Sequence, residues 1–236
     1  MPYGPDGSIP LDVPEGGLVL YPNEVPVSDW KRVIRDALEA ASGPSSLTEF
    51  LRERKSLLVV VNDAARPTPT AKVLSLIRSD LKGVPHRLIV ATGAHRSPTE
   101  EELETILGDL HTAERGNLII HDARNPDEMV RTGTTSRGTE VLLNRAVLEA
   151  DGILVIGSVE PHYFAGYTGG RKAFVPGLAA YSTIERNHSH AMSPDSLPLA
   201  LEGNPVHDDM MDALTTIGEK PVFAIMTVLT GRGDIY

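Results

Sequence analysis

Leu57-Leu58-Val59-Val60-Val61, followed at once by Asn62-Asp63-Ala64-Ala65-Arg66-Pro67, is the stretch on which the fold turns. An unbroken run of β-branched and aliphatic residues reads as a strand that is apolar on both faces. Such a strand belongs in the middle of a sheet covered on both sides. Working outward, the same kind of run recurs at Arg87–Ala91, Leu118–Ile120, Gly152–Ile156 and Val222–Val228. Helical spacing fills the intervals. Trp30, Val33, Ile34 and Leu38 predict a helix over Asp29–Ala41, stopped by Gly43-Pro44. Further helices are predicted from about Thr70 to Leu81, over Thr99–Leu110 with Thr99 and Glu102 in capping-box spacing, near Leu142–Ala150, and over Ser182–Met192 and Pro205–Ile217. Asp122–Gly138 reads as a polar connection. Strands alternating with helices predict an α/β, Rossmann-like fold with a mostly parallel sheet and helices on both faces. Residues 1–27 are rich in Gly and Pro, and their Asp6-Gly7 turn signal predicts a short β-hairpin or edge strands. Ser193–Asn204 is the other linker-like stretch. No internal repeat or low-complexity segment is present.

Composition narrows the function. The chain has 236 residues with 41% hydrophobic content, enough for one large domain or two small ones. Its 22 Lys and Arg against 32 Asp and Glu give a formal charge of -10. That balance argues against nucleic-acid and anionic-membrane partners, which need a positive field. The absence of cysteine excludes disulfides, thiolate metal sites and a cysteine nucleophile. The first residues lack the basic and apolar regions of a signal peptide, and no apolar run reaches membrane-spanning length, so a soluble cytoplasmic protein is expected.

In an open parallel sheet, ligands bind outside the carboxyl ends of the strands. Asn62–Pro67 follows one strand, Thr92-Gly93-Ala94-His95-Arg96 the next, and Gly157–Phe164, with Glu160-Pro161-His162, another. Three polar clusters far apart in sequence are thus expected at one sheet edge. Arg66 suits bidentate grip of a carboxylate or phosphate, or a surface salt bridge. Asp63 has three readings: orienting Arg66, binding a ribose hydroxyl, or capping the following helix. His95 and His162 read as general bases, metal ligands or structural histidines bonded to backbone. Gly166–Lys172 is the densest signal. Its glycines followed by Arg171 and Lys172 suggest an anion cradle, but Arg171 and Ala173 break the Walker A pattern and remove the Mg²⁺-binding hydroxyl. A lysine beside an arginine should have a lowered pKa, favouring a nucleophilic amine over a plain phosphate turn. His188 and His190, two apart on a predicted helix, cannot both bind one metal. His86, His111 and His207 receive no role, and His121 is held in reserve.

Asn62–Pro69, Thr92–Arg96, Glu160–Gly177 and Arg186-Asn187-His188 together resemble the nickel-dependent lactate racemase family, in its order and spacing. The similarity runs from Tyr3-Gly4 to the last predicted strand. The resemblance implies a nickel pincer nucleotide, a pyridinium mononucleotide with two sulfur donors and a carbon bound to nickel. It implies that Lys172 holds this cofactor, in some members through a thioamide bond, with Asp63, Thr168, Gly169 and Gly170 on the cofactor side of the site. His188 would complete the nickel coordination, His95 and His162 would be paired acid/base residues, and Arg66 would grip the substrate carboxylate. The implied reaction is racemisation or epimerisation of lactate or a related 2-hydroxy acid through a 2-keto acid. The cofactor brings its own sulfur, so a chain without cysteine is chemically consistent. Family members carry a second, C-terminal domain that closes over the site, whereas this chain stops at Tyr236. The expectation is therefore a single N-terminal cofactor-binding and catalytic domain over 1–236 that racemises poorly or not at all without its closing partner. Two other readings stand beside it: a nucleotide- or phosphate-binding module without redox chemistry, and a metal hydrolase ligated by His95, His162 and His188.

Overall fold

The structure, a computed structural model, describes residues 2–3, 7–8, 10, 12, 14, 16–18, 29–43, 45–230 and 234–235. At the N-terminus β1 (Pro2–Tyr3) pairs antiparallel with β2 (Gly7–Ser8), the short hairpin expected there. Asp6 of the expected turn lies outside the described residues, as does Pro44 of the expected helix stop. Helix α1 spans Trp30–Glu39 and is capped by Asp29, whose side chain accepts from the Lys31 amide. Helix α2, Leu47–Arg52, was not predicted, although Ser46 and Glu49 close a capping box on it.

Strand β3 (Leu57–Asn62) leads into α3 (Thr70–Leu81), and β4 (His86–Ala91) into α4 (Glu100–Leu107), where Thr99 and Glu102 form the predicted capping box. Gly108 ends α4 early and a separate turn, α5 (Leu110–Ala113), follows. After β5 (Leu118–Ile120) the chain departs from expectation. Met129–Thr134 (β6) and Glu140–Asn144 (β7) form an antiparallel hairpin where a polar connection and the start of a helix were expected. Only Ala146–Glu149 (α6) is helical there. Val141 and Leu143 point inward while Glu140 stays exposed, a period of two that β7 completes against the Leu178–Ala180 segment. The chain continues through β8 (Gly152–Ser158), the two-residue strands β9 (Pro161–His162) and β10 (Gly166–Tyr167), a 3₁₀ turn at Gly170–Ala173, α7 (Tyr181–Ser189), α8 (Pro205–Thr215) and β11 (Val222–Thr227).

Five strands form one all-parallel sheet in the order β11-β8-β3-β4-β5. Alternate residues of β3 serve opposite layers. Leu57, Val59 and Val61 pack with α1–α4, whereas Leu58 and Val60 pack with Phe174, Leu178, α7 and α8. Full burial of each such side chain is worth about 1.5–3 kcal/mol, so the layers lock the central strands in place. Register then fixes the site. Asn62 lies beside Ala91, and Val61 beside Ile156, so the chain leaves β3, β4 and β8 at one level. Ser193–Asn204, read as a linker, is fastened instead: Asn204 is fully buried and donates to the Phe164 carbonyl. Among the described residues no helix is long and apolar enough to cross a membrane.

Candidate active site

A cavity of about 460 Å³ opens where the three strands end, and Asp63, Arg66, His95, His162, Thr168, Gly169, Gly170, Lys172 and His188 all line it. Its first wall is the pair of loops after β3 and β4. Asn62 donates to the Thr68 hydroxyl at 2.7 Å, and Thr68 meets the Ser158 hydroxyl at 2.7 Å, latching the β3 loop to β8. Asp63 has its side chain almost wholly buried and sits 2.7 Å from Nδ1 of His95. It does not cap α3, whose N-cap is Pro69 without a side-chain bond, and it makes no hydrogen bond to the Arg66 guanidinium. The Arg66 guanidinium forms no ion pair or hydrogen bond among the described residues, which removes the salt-bridge reading. Arg96 turns away and makes a two-pronged pair with Glu102 at 2.6 and 2.8 Å, outside the cavity. Gly93 takes a positive φ of 56°, and its amide donates to Gly177, tying the β4 loop to the opposite wall.

That opposite wall is the segment from β8 to α7. His162 is buried, stacks on Tyr163 and packs nearly at right angles to Phe164. Its Nδ1 lies 3.2 Å from the Ala165 amide and 3.4 Å from that of Phe164, and its Nε2 lies 3.1 Å from Nζ of Lys172. Lys172 is only 9% exposed. Burial, reinforced by Arg66 and Arg171, pushes its amine down to about 7. Burial and the charges of Lys172 and Arg66 push His162 down to about 4. The lowered lysine was foreseen from its arginine neighbour, but burial is the larger cause. His188 bonds the Ile184 carbonyl through Nδ1 at 2.8 Å, so Nδ1 is the donor and Nε2 keeps the lone pair on a ring that lines the cavity. Burial also lowers His188, which favours the neutral imidazole a metal requires.

The anion cradle is not built as expected. The Gly170 amide points to the Met226 sulfur at 3.1 Å, and the Lys172 amide donates to the Gly169 carbonyl. Arg171 faces inward and donates to the carbonyls of Ala165 and Tyr167 at 2.8 and 3.0 Å. Thr168 is held by Ser158 and Glu160. Gly169, at φ 85°, is needed because a Cβ there would meet Val159 at 2.9 Å. His121, the reserve candidate, is absorbed into the core, meeting the Ala179 carbonyl and Asn144. His190 leaves the helix and lies 3.8 Å from buried Asp209, away from the cavity. Pro176 and Gly177, which also line the cavity, drew no separate attention in the sequence reading; their place in the long Glu160–Gly177 block was the available signal.

Residues 3–197 match the family described as lactate racemase N-terminal domain. The chain belongs to that family. It is 33% identical over 187 residues to the lactate racemase of Thermoanaerobacterium thermosaccharolyticum, covering 77% of this chain and 44% of that protein. It is 32% identical over 205 residues to the lactate racemase of Lactiplantibacillus plantarum, covering 84% of this chain and 48% of the relative. The lactate racemase apoprotein of T. thermosaccharolyticum superposes with a TM-score of 0.79 at 30% identity, over 87% of this chain and 50% of that one. A Thermotoga maritima protein of the same fold superposes with a TM-score of 0.73 at 23% identity, over 89% and 54%. The chain therefore spans about half the length of the curated relatives it matches.

Proposed function

We propose that this chain is the cofactor-carrying half of a nickel-dependent 2-hydroxyacid racemase or epimerase. The observation that carries the reading is the presence, in one cavity, of an Arg66 guanidinium with no ion pair among the described residues and a buried Lys172 amine whose pKa is pushed down to about 7. A nickel pincer nucleotide fits these residues. Lys172 offers an amine for attachment, and His188 offers an imidazole lone pair to nickel. Among the described residues no three His, Cys, Asp or Glu side chains converge to hold a metal by themselves. One protein imidazole suits a metal whose other donors arrive with the cofactor, and it counts against the three-histidine hydrolase. The engaged amides and inward Arg171 of the Gly169–Lys172 turn likewise count against a plain phosphate-binding module.

Arg66 binds the substrate carboxylate through two parallel hydrogen bonds and so fixes the hydroxyl carbon between the two walls. His95 and His162 line the cavity from different loops, and in this reading they meet the substrate hydroxyl and hold or move its proton. The chemistry a bound cofactor of this kind would supply is reversible acceptance of the substrate's C2 hydride; a planar 2-keto acid held by Arg66 could then regain it on either face and give either enantiomer.

The test is intact mass and metal analysis of the chain produced together with the cofactor-synthesis enzymes. The expected result is a mass increase with near-stoichiometric nickel, both lost in Lys172→Met. Wild-type protein that stays unmodified and nickel-free under those conditions overturns the reading. The chain alone is expected to racemise far more slowly than a relative of full length, and comparable turnover would sink that part.

A further inference from the structure

Lys172 and Arg66 bring to one cavity two polar groups that no carboxylate among the described residues neutralises. Nζ of Lys172 is buried, 3.1 Å from Nε2 of His162 and 5.7 Å from the centre of the Phe164 ring. The charges that act on it, Arg66 and Arg171, are of its own sign. With its pKa pushed down to about 7, roughly half of this amine is unprotonated at neutral pH, where an ordinary lysine is neutral in only about one molecule in a few thousand. The Arg66 guanidinium lines the same space and suits a carboxylate. An amine and a guanidinium placed together fit the two ends of one kind of small molecule, a 2-keto acid, whose carboxylate and carbonyl sit on adjacent carbons. The cavity, about 460 Å³, has room for one.

We infer that, while Lys172 carries no other group, the cavity captures short 2-keto acids covalently: Arg66 grips the carboxylate and Lys172 forms an imine at the neighbouring carbonyl carbon. In this step Nζ adds to the carbonyl carbon, both amine hydrogens leave with the carbonyl oxygen as water, and a C=N bond replaces the C=O bond. Nothing is oxidised or reduced. A lysine desolvated beside other cations is the arrangement that makes an amine nucleophilic, and the grip on the carboxylate supplies the orientation. The inference stands on the cavity and not on nickel chemistry. Under the racemase reading it adds a consequence: a 2-keto acid and the cofactor compete for one amine.

The experiment treats the chain, produced without nickel or the cofactor-synthesis enzymes, with pyruvate and cyanoborohydride at about pH 7, and maps the reduced adduct by peptide mass. Lys172 should gain one carboxyethyl group at least about tenfold faster than any of Lys31, Lys55, Lys72, Lys82 and Lys220. In Arg66→Gln, trapping of pyruvate at Lys172 should fall about tenfold, while trapping of methyl pyruvate, whose ester carries no charge, should fall less than about threefold. Two results overturn the proposal: trapping at Lys172 no faster than at the other lysines, or a loss in Arg66→Gln no greater for pyruvate than for its ester. If Arg66→Gln fails to fold, the wild-type ratio of Lys172 to the other lysines decides alone. The chain used here holds no nickel, so a negative result leaves the racemase reading standing, and failure to load nickel leaves the imine standing.

Discussion

On one wall of the cavity, short loops leaving β3 and β4 carry Asp63, Arg66 and His95. On the other, the longer segment from β8 through α7 carries His162, Lys172 and, near the end of α7, His188. The His95 side chain is 54% exposed and has a carboxylate partner. His162 and Lys172 are 9% exposed, have each other, and no carboxylate bonds to either among the described residues. The first wall sets its histidine by a partner, and the second sets its amine and imidazole by removing water. The difference shows two ways of setting a reactive side chain: a directed hydrogen bond orients the His95 ring, whereas burial among like charges lowers the basicity of His162 and Lys172.

The largest test of this contrast is architectural. The second wall depends on close backbone approach. Gly166 has φ 74°, and a Cβ there would lie 2.1 Å from the Ala200 carbonyl oxygen. Gly166→Ala should cost about 3 kcal/mol or more by urea unfolding, from backbone displacement added to strain. On the first wall Gly93, at φ 56° with its nearest contact at 3.4 Å, should cost only about 1 kcal/mol as Gly93→Ala. Equal losses would break the comparison.

A second test reads the burial of Lys172. Its amine is held at about 7, below the ordinary 10.5, so between those values the unfolded chain binds the proton that the folded chain lacks. Stability should therefore rise with pH across that window, and the penalty is full below it. Lys172→Met should remove the penalty, raising stability at neutral pH by about 2 kcal/mol and Tm by about 5 °C. The advantage should shrink toward the upper end of the window. A variant no more stable than wild type at neutral pH would deny that burial is the cause.

The smallest effect separates burial from charge. Arg66 comes second to burial among the causes that lower Lys172. Arg66→Gln should move the midpoint of Lys172 modification by an amine-reactive reagent upward by less than about one pH unit. A larger displacement would make the first wall, through Arg66, the main control on the second.

Much of the frame was legible in advance. The apolar runs at Leu57–Val61 and Gly152–Ile156 became central strands, and α3 begins at Thr70 and ends at Leu81 as the spacing predicts. The hairpin at Met129–Asn144 was not legible, because Leu143, Ala146, Val147 and Ala150 fit helical spacing as readily as the end of a strand followed by a turn, and β pairing depends on residues elsewhere. Arg171 misled for a related reason. Adjacent cations look like one cradle on paper, but a 3₁₀ turn rotates successive side chains by about a third of a circle. Lys172 therefore lines the cavity while Arg171 seals the loop behind it.

The sequence by itself determined the parallel sheet, the polar edge where its strands end, and the family resemblance. Apolar periodicity and block spacing are local, so they survive without coordinates. Only the tertiary structure decided the surroundings of each reactive atom. Asp63 meets His95 across 32 positions, and the lysine amine lies against His162 inside a wall closed by Gly166 and Gly177. Desolvation and hydrogen-bond direction belong to assembled neighbours, and those neighbours come together only in the fold.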